Sequence, residues 1–247
     1  MANTAIDSGS LKAIVFDIDG TLYRQGPVRR AMLFKLVAAY AFRPVEGWQT
    51  MTALRAYRHA QERLRGAPCG GDAAAAQLQL ACEGTRLDRA VVADRVDRWM
   101  EREPLAILGK YAQPGLMDFL EACRTRGIRM GTLSDYPGDE KLRALGVDQY
   151  FDVRLCAQSP EIGVFKPDPR GLQVALERLG TTARETLYIG DRADVDAAAA
   201  EAAGIPCAIL TSARPAAEPR SYISIPSYTD LGGLLFGPEV SPARPRS

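Results

Sequence analysis

Two aspartates separated by one isoleucine, Asp17 and Asp19, sit in the stretch KAIVFDIDGTLY at 12–23. Four apolar residues, Ala13 to Phe16, run directly into them, and Gly20 and Thr21 follow. A carboxylate can attack phosphorus and form an acyl phosphate that water later cleaves. A carboxylate and a phosphate dianion repel, so that reaction calls for a divalent cation between them. Three further apolar runs lead to residues of matching chemistry. Ser134 lies in GTLSDYP, Lys166 in VFKPDP, and Asp191, Asp194 and Asp196 in GDRADVD. Oxygens from Asp17 and Asp191 suit Mg²⁺, a hard cation that keeps several waters. Asp19, held back from direct attack, can protonate a leaving oxygen and later deprotonate water. Ser134 and Lys166 suit the remaining phosphate oxygens, the lysine as a compact point charge. Gly20 permits a tight turn after the strand. Thr21 either satisfies the loop backbone or touches Asp17 or the phosphate indirectly.

These residues need a frame that brings them to one rim. The runs AIVF (13–16), IRMGTL (128–133), DVRLC (152–156), TLYIG (186–190) and IPCAIL (205–210) are too short for helices and hardly alternate. That is the pattern of parallel strands covered on both faces. Helical patterns bounded by Pro or Gly lie between them, in PGLMDFLEACRTRG, KPDPRGLQVALERLG and RADVDAAAAEAAG. Alternation of strand and helix predicts an α/β fold with a doubly wound parallel sheet. In such sheets the reacting groups gather at the carboxyl ends of strands, where strand order reverses. One interval breaks the rhythm. Residues 24–108 show helical spacing and no convincing strand, whereas a crossover needs only one helix. They read as an inserted helical subdomain, leaving 1–23 and 109–247 as the core. Within it AMLFKLVAAYAF (31–42) reads as a buried amphipathic helix, too short to span a membrane. A short strand near YISI and a turn of helix at DLGGLLF are expected in the Pro- and Arg-rich tail.

Composition narrows the partners. The 247 residues carry a net charge of +1, which exerts no general pull toward nucleic acid or membrane. Five scattered cysteines without a CxxC predict reduced thiols, no zinc site and a cytoplasmic protein. The first ten residues lack a basic, apolar signal region. His59, the single histidine, sits in the arginine-laden RAYRHAQERLRG and reads as part of a solvated face. That stretch, with Arg29, Arg30 and Arg43, alternatively presents a cationic rim to an anionic substrate. Trp48 and Trp99 read as packing residues.

The ordered set DIDGT at 17–21, Ser134, Lys166 before a Pro-containing helix start, and GDRADVD from Gly190 resembles the haloacid dehalogenase-like (HAD) hydrolase superfamily over residues 12–212. The resemblance implies a Rossmann-like core and a helical cap between the first two motifs, which closes over the site and selects substrate. It also implies Asp17 as nucleophile and Mg²⁺ ligand, and Asp191 as a further ligand. Asp19 would supply acid/base chemistry and a backbone carbonyl to the metal. Asp194 and Asp196 both offer support to the metal, with Asp196 favoured. Asp135 follows Ser134 where relatives often carry Thr and Asn, so it bears on phosphate or substrate contacts. The family's dehalogenases lack an aspartate at the position of Asp19, which points instead to a Mg²⁺-dependent phosphatase of a small phosphorylated metabolite, working through an aspartyl-phosphate. A phosphomutase of the same superfamily, and a non-catalytic regulatory relative, are the alternatives.

Overall fold

The computed structural model describes residues 9–67, 69–211 and 221–237. Parts of the Pro- and Arg-rich tail and the first eight residues lie outside that range. Six strands are described: β1 (Ala13–Phe16), β2 (Arg129–Ser134), β3 (Val153–Cys156), β4 (Thr186–Gly190), β5 (Cys207–Leu210) and β6 (Tyr222–Ile225). They form one sheet in the order β3-β2-β1-β4-β5-β6, every pairing parallel. The chain steps outward from β1 to β3 on one side, then resumes at β4 on the other. Strand order therefore reverses between β1 and β4. Register across that junction aligns Phe16 with Ile189, so the residues beyond each strand emerge together.

Both faces of the sheet are covered, as the unbroken apolar runs require. On one face Ile14, Phe16, Leu187 and Ile189 pack on α6 (Leu116–Thr125), α7 (Asp139–Leu145) and α10 (Tyr228–Phe236). Phe16 is central there, 5.6 Å from the Phe151 ring, while Phe119 lies 5.2 Å from Tyr228. On the other face Ala13, Val15, Tyr188 and Ile209 meet α8 (Arg170–Leu179) and α9 (Ala198–Ala203). The sequence patterns for these elements hold to within a few residues, including the late strand and the closing helix.

Between β1 and β2 the described residues hold helices and no strand. Ahead of α6 these are α1 (Gln25–Ala39), α2 (Pro44–Leu64), α3 (Ala73–Thr85), α4 (Arg89–Val96) and α5 (Glu103–Leu108), with a π-helical turn joining α4 to α5. Helices α2 to α4 share a small apolar cluster of their own around Ala53, Tyr57, Ala81 and Val92. Two expectations fail here. Helix α1 is not buried: Val28, Met32 and Leu36 form its one inward stripe, and Leu33, Phe34 and Val37 face outward, Phe34 at 75 % exposure. A stripe at four-residue spacing covers only one side of a helix, and this segment carries apolar residues around most of its circumference. Trp48 is likewise 72 % exposed and not a packing residue, whereas Trp99 is buried as expected. No helix among the described residues is long and apolar enough to cross a membrane. All five cysteines are free thiols, with Cys69, Cys123 and Cys207 buried.

Candidate active site

Asp17 is the first residue past β1, and its N–H still donates to the Ile189 carbonyl of β4 at 2.8 Å. Its carboxylate therefore stands at the point of strand reversal, on rigid backbone. Thr21 Oγ1 donates to Asp17 Oδ2 at 2.9 Å, which fixes the loop on itself. Lys166, from the loop after β3, is buried and donates from Nζ to Asp17 Oδ1 and Asp196 Oδ1, both at 2.7 Å, and to the Tyr188 hydroxyl at 3.1 Å. The other Asp196 oxygen accepts from the backbone N–H groups of Asp191 and Arg192 at 3.2 and 3.0 Å. Carboxylate oxygens of Asp17, Asp191 and Asp196 all lie within 4.8 Å of one another.

Gly20 is where this packing leaves no room for a side chain. Its φ is +112°, and a Cβ would lie 2.0 Å from Asp191 Oδ2. The loop after β1 thus presses its backbone directly against the loop after β4.

The electrostatics follow from three acids and one ammonium gathered in a largely buried site. Burial, with the charges of Asp196 and Asp19, outweighs the attraction of Lys166 and lifts Asp17 to about 6. Burial, then repulsion from Asp17 and Asp196, lifts Asp191 to about 8. Burial alone would lower Lys166, but Asp17 and Asp196 hold it well above the ordinary lysine value.

Asp19 sits apart from this trio. Its two oxygens accept from Lys141 Nζ at 2.7 Å each, and Tyr23 donates its hydroxyl to Oδ1. Burial works to raise its pKa, yet the Lys141 ammonium and these hydrogen bonds keep it below the usual carboxylate value. The two aspartates of DIDGT are therefore shifted in opposite directions: burial prevails over Lys166 at Asp17, whereas Lys141 and the hydrogen bonds prevail over burial at Asp19.

The other expected residues are spread more widely. Ser134 is fully buried at the end of β2, where its Oγ accepts from the Tyr136 N–H at 3.3 Å, and it does not line the cavity described below. Asp194 is exposed and paired with Arg192, whereas Asp196 is buried within the acid cluster. Asp135 Oδ2 accepts from Gln61 Nε2 and Arg65 Nη1, both at 2.9 Å, while its buried Oδ1 has no partner. Arg65 Nη1 also donates to the Lys166 carbonyl at 2.7 Å, and Glu62 pairs with Arg192 at 2.8 Å. The last turns of α2 are thus fastened to the strand ends.

A cavity of about 750 Å³ opens over these groups. Asp17, Asp19, Lys141, Lys166, Asp191 and Asp196 lie at its floor, and Met32, Leu36, Leu54 and Trp99 form an apolar wall. Arg29, Arg58 and His59 also line it, but Arg30 and Arg43 do not.

Sequence reasoning missed Lys141, Tyr23, Tyr188 and Arg65. Lys141 was within reach, because the chain has 26 arginines and only five lysines. This one stands in the first turns of the helix after β2. Tyr188 is disguised as a strand residue, since its ring packs in the core and only its hydroxyl reaches Lys166.

Comparison with known proteins agrees with this architecture. The model of the haloacid dehalogenase-like hydrolase family matches residues 11–204. The chain is 31% identical over 244 residues to a phosphoglycolate phosphatase of Rhodospirillum rubrum, covering 92% of each protein. It is 27% identical over 231 residues to a glyceraldehyde 3-phosphate phosphatase of Methanopyrus kandleri, covering 88% of this chain and 92% of that one. The crystal structure of a HAD phosphatase from Thermococcus onnurineus superposes with a TM-score of 0.60 at 22% identity, over 92% of this chain and 99% of the other. With its strand order, its acid cluster at the point of strand reversal and these matches together, the chain belongs to the haloacid dehalogenase-like hydrolase family.

Proposed function

We propose that this protein is a Mg²⁺-dependent phosphatase that hydrolyses a small phosphorylated metabolite through an aspartyl-phosphate on Asp17. The observation that carries the reading is the pairing of two differently tuned carboxylates, Asp17 and Asp19, beside a three-acid cluster at the point of strand reversal. The donor set fits the metal: Asp17, Asp191 and Asp196 supply only hard oxygens, clustered within 4.8 Å. Asp17 and Asp191 would hold it directly, with the Asp19 backbone carbonyl. Asp196, already spent on Lys166 and two backbone N–H groups, is better suited to steadying the set. When bound, Mg²⁺ offsets the repulsion between the carboxylates and an incoming phosphate.

The chain's own groups account for the remaining steps. Thr21 and Lys166 each hold one Asp17 oxygen, so the carboxylate is aimed before substrate arrives. An Asp17 oxygen bonds to phosphorus as the ester P–O bond breaks and its electron pair leaves with the alcohol oxygen. Asp19 passes a proton to that oxygen, drawn from its donor Lys141. Water then attacks phosphorus while Asp19 takes up its proton, which restores Lys141, and the bond to Asp17 breaks. Ester and water thus yield alcohol and phosphate, with the enzyme unchanged. Ser134, expected to bind a phosphate oxygen, is buried at the end of β2, and its contact with the Tyr136 N–H holds the loop that precedes Lys141.

Residues 24–108 serve as the cap in this reading, with α1 and α2 supplying the walls over the floor. Among family relatives, the named substrates include phosphoglycolate, glyceraldehyde 3-phosphate and N-acetylmuramic acid 6-phosphate, all phosphate monoesters. The test is a panel of phosphate monoesters assayed with Mg²⁺, with a chelator, and with Asp17→Asn. Free phosphate should appear only with Mg²⁺ and intact Asp17. Turnover by Asp17→Asn, or an isomerised ester in place of free phosphate, would contradict the reading.

A further inference from the structure

Helix α1 carries apolar side chains on two sides, and the fold uses one of them. Val28, Met32 and Leu36 are buried, whereas Leu33, Phe34 and Val37 are exposed. The exposed apolar surface continues through the turn into α2, where Phe42 is 99 % exposed and Val45, Trp48 and Met51 also face outward. At roughly 200 Å² per ring, Phe34, Phe42 and Trp48 alone expose on the order of 500 Å². The largest apolar patch on a typical monomer measures about 300–600 Å² in all, and four further side chains enlarge this one.

The charge around the patch is one-sided. Residues 24–60 hold seven arginine and lysine residues and one acid, Glu46, a net +6 in a chain whose total is +1. The total therefore conceals a cationic end. Glu46 is paired with Arg43, and Lys35 with Glu103 of α5. Arg29, Arg30 and Arg55 are exposed and form no ion pair or side-chain hydrogen bond among the described residues.

Apolar and basic residues follow the same order on both helices. On α1, Arg30, Leu33, Phe34 and Val37 share one face, spaced i, i+3, i+4, i+7. On α2, Val45, Trp48 and Arg55 share one, spaced i, i+3, i+10. The apolar members lie toward the turn. Arg30 stands about 10 Å behind Val37, and Arg55 about 10 Å behind Trp48, at 1.5 Å per residue. A lipid–water boundary asks for that arrangement: an aromatic, apolar tip enters to about 5–10 Å, and cations behind it meet anionic headgroups. Guanidinium forks suit their phosphate oxygens. A second copy of this chain fits the face less well, because a two-fold contact would bring arginine-flanked surfaces together without a free acid between them.

We propose that the α1–α2 helix pair is a docking surface for an anionic lipid bilayer, with Phe42 and Trp48 entering the headgroup layer and Arg30 and Arg55 holding phosphates behind them. Leu33, Trp48, Met51, Arg29 and Arg55 also line the cavity over Asp17, so the docked face carries the entrance to the candidate site. The proposal goes beyond the phosphatase reading and does not depend on it.

The test is flotation of the full chain with vesicles of phosphatidylcholine alone and of phosphatidylcholine mixed with phosphatidylglycerol, at low and high salt, beside light scattering of the protein without vesicles. Trp48 reports insertion, because the chain has two tryptophans and Trp99 is buried. The wild type should float with the anionic vesicles and show a blue shift in tryptophan emission, and should bind about 10-fold less to neutral vesicles or at high salt. Arg30→Gln/Arg55→Gln should weaken partitioning about 30-fold, at about 5-fold per arginine near the surface. Phe42→Ser/Trp48→Ser should lose about 10-fold or more. All four side chains are exposed, so both variants should keep the wild-type melting temperature. A wild type that floats with neither vesicle, equal flotation with both, or flotation that survives both double variants would overturn the surface. A lowered melting temperature in the variants would show these side chains to be packed and would overturn it too. A dimer that Phe42→Ser/Trp48→Ser dissolves, without flotation, would assign the face to a second copy instead. None of these readouts uses turnover, so each outcome leaves the phosphatase reading where its own assay puts it.

Discussion

Lys166 shows how a single side chain sets the character of the site. Its ammonium is shared between Asp17 and Asp196, so its removal leaves two buried carboxylates without a cation. Lys166→Ala should lose about 3–5 kcal/mol of stability in chelator, the range for a buried pair deprived of one partner. Mg²⁺ should then restore more of the melting temperature than it does in the wild type, and calorimetry with and without metal checks both. A smaller Mg²⁺ shift in the variant would show that the lysine supports metal binding. The pH dependence has a definite sign. Asp17 and Asp191 are raised from 3.8 to about 6 and about 8, so the folded metal-free protein holds protons that the unfolded chain has released. Metal-free stability should be unaffected by these groups below about pH 4 and should fall as pH rises to about 8. Protons and metal compete for the same oxygens, so the Mg²⁺-induced rise in melting temperature should grow across that window. A shift that is flat with pH would contradict this picture of the carboxylates. At this scale Asp17 and Asp191 were readable because each directly follows an apolar run. Lys141 and Tyr23 were not, since what they do depends on which way α7 and the loop after Asp19 turn back.

Among the elements, the loop after β1 and the end of α2 carry the strictest demands. Gly20→Ala would drive a methyl into Asp191 and force a left-handed backbone on an alanine. It should cost about 1–3 kcal/mol and most of the activity. A variant with near-normal turnover would show that the two loops are not held in contact. Arg65→Met removes the cation paired with Asp135, whose second oxygen is already unpartnered among the described residues. A stability loss of about 3 kcal/mol is expected, with a weakened hold of α2 on the rim. Denaturant unfolding measures the first, and limited proteolysis between α2 and α3 measures the second. The strands and their helices were predictable because parallel strands need apolar residues at every position and helices need caps. Helix α1 misled for the opposite reason. Apolar composition marks a helix, but which of its faces finds a partner depends on neighbours far along the chain.

In the molecule as a whole, distant segments converge on the loop after β1. Tyr228 of α10 donates its buried hydroxyl to the Thr21 carbonyl at 3.1 Å, across 207 residues of sequence. Its ring packs on Phe16 and Phe119, so the last helix braces both the first strand and the loop beyond it. Such closure is invisible to periodicity, because no local pattern marks a tyrosine that reaches another segment's backbone. The central claim nevertheless rests on one atom pair, an Asp17 oxygen and phosphorus. Its most direct test is to mix the enzyme with Mg²⁺ and a turned-over ester, quench in acid within one turnover, and weigh the peptide that contains Asp17. That peptide should carry one phosphoryl group, labile to base, and the Asp17→Asn protein should carry none. A phosphoryl group on any other residue, or full turnover with Asp17 never modified, would contradict the account.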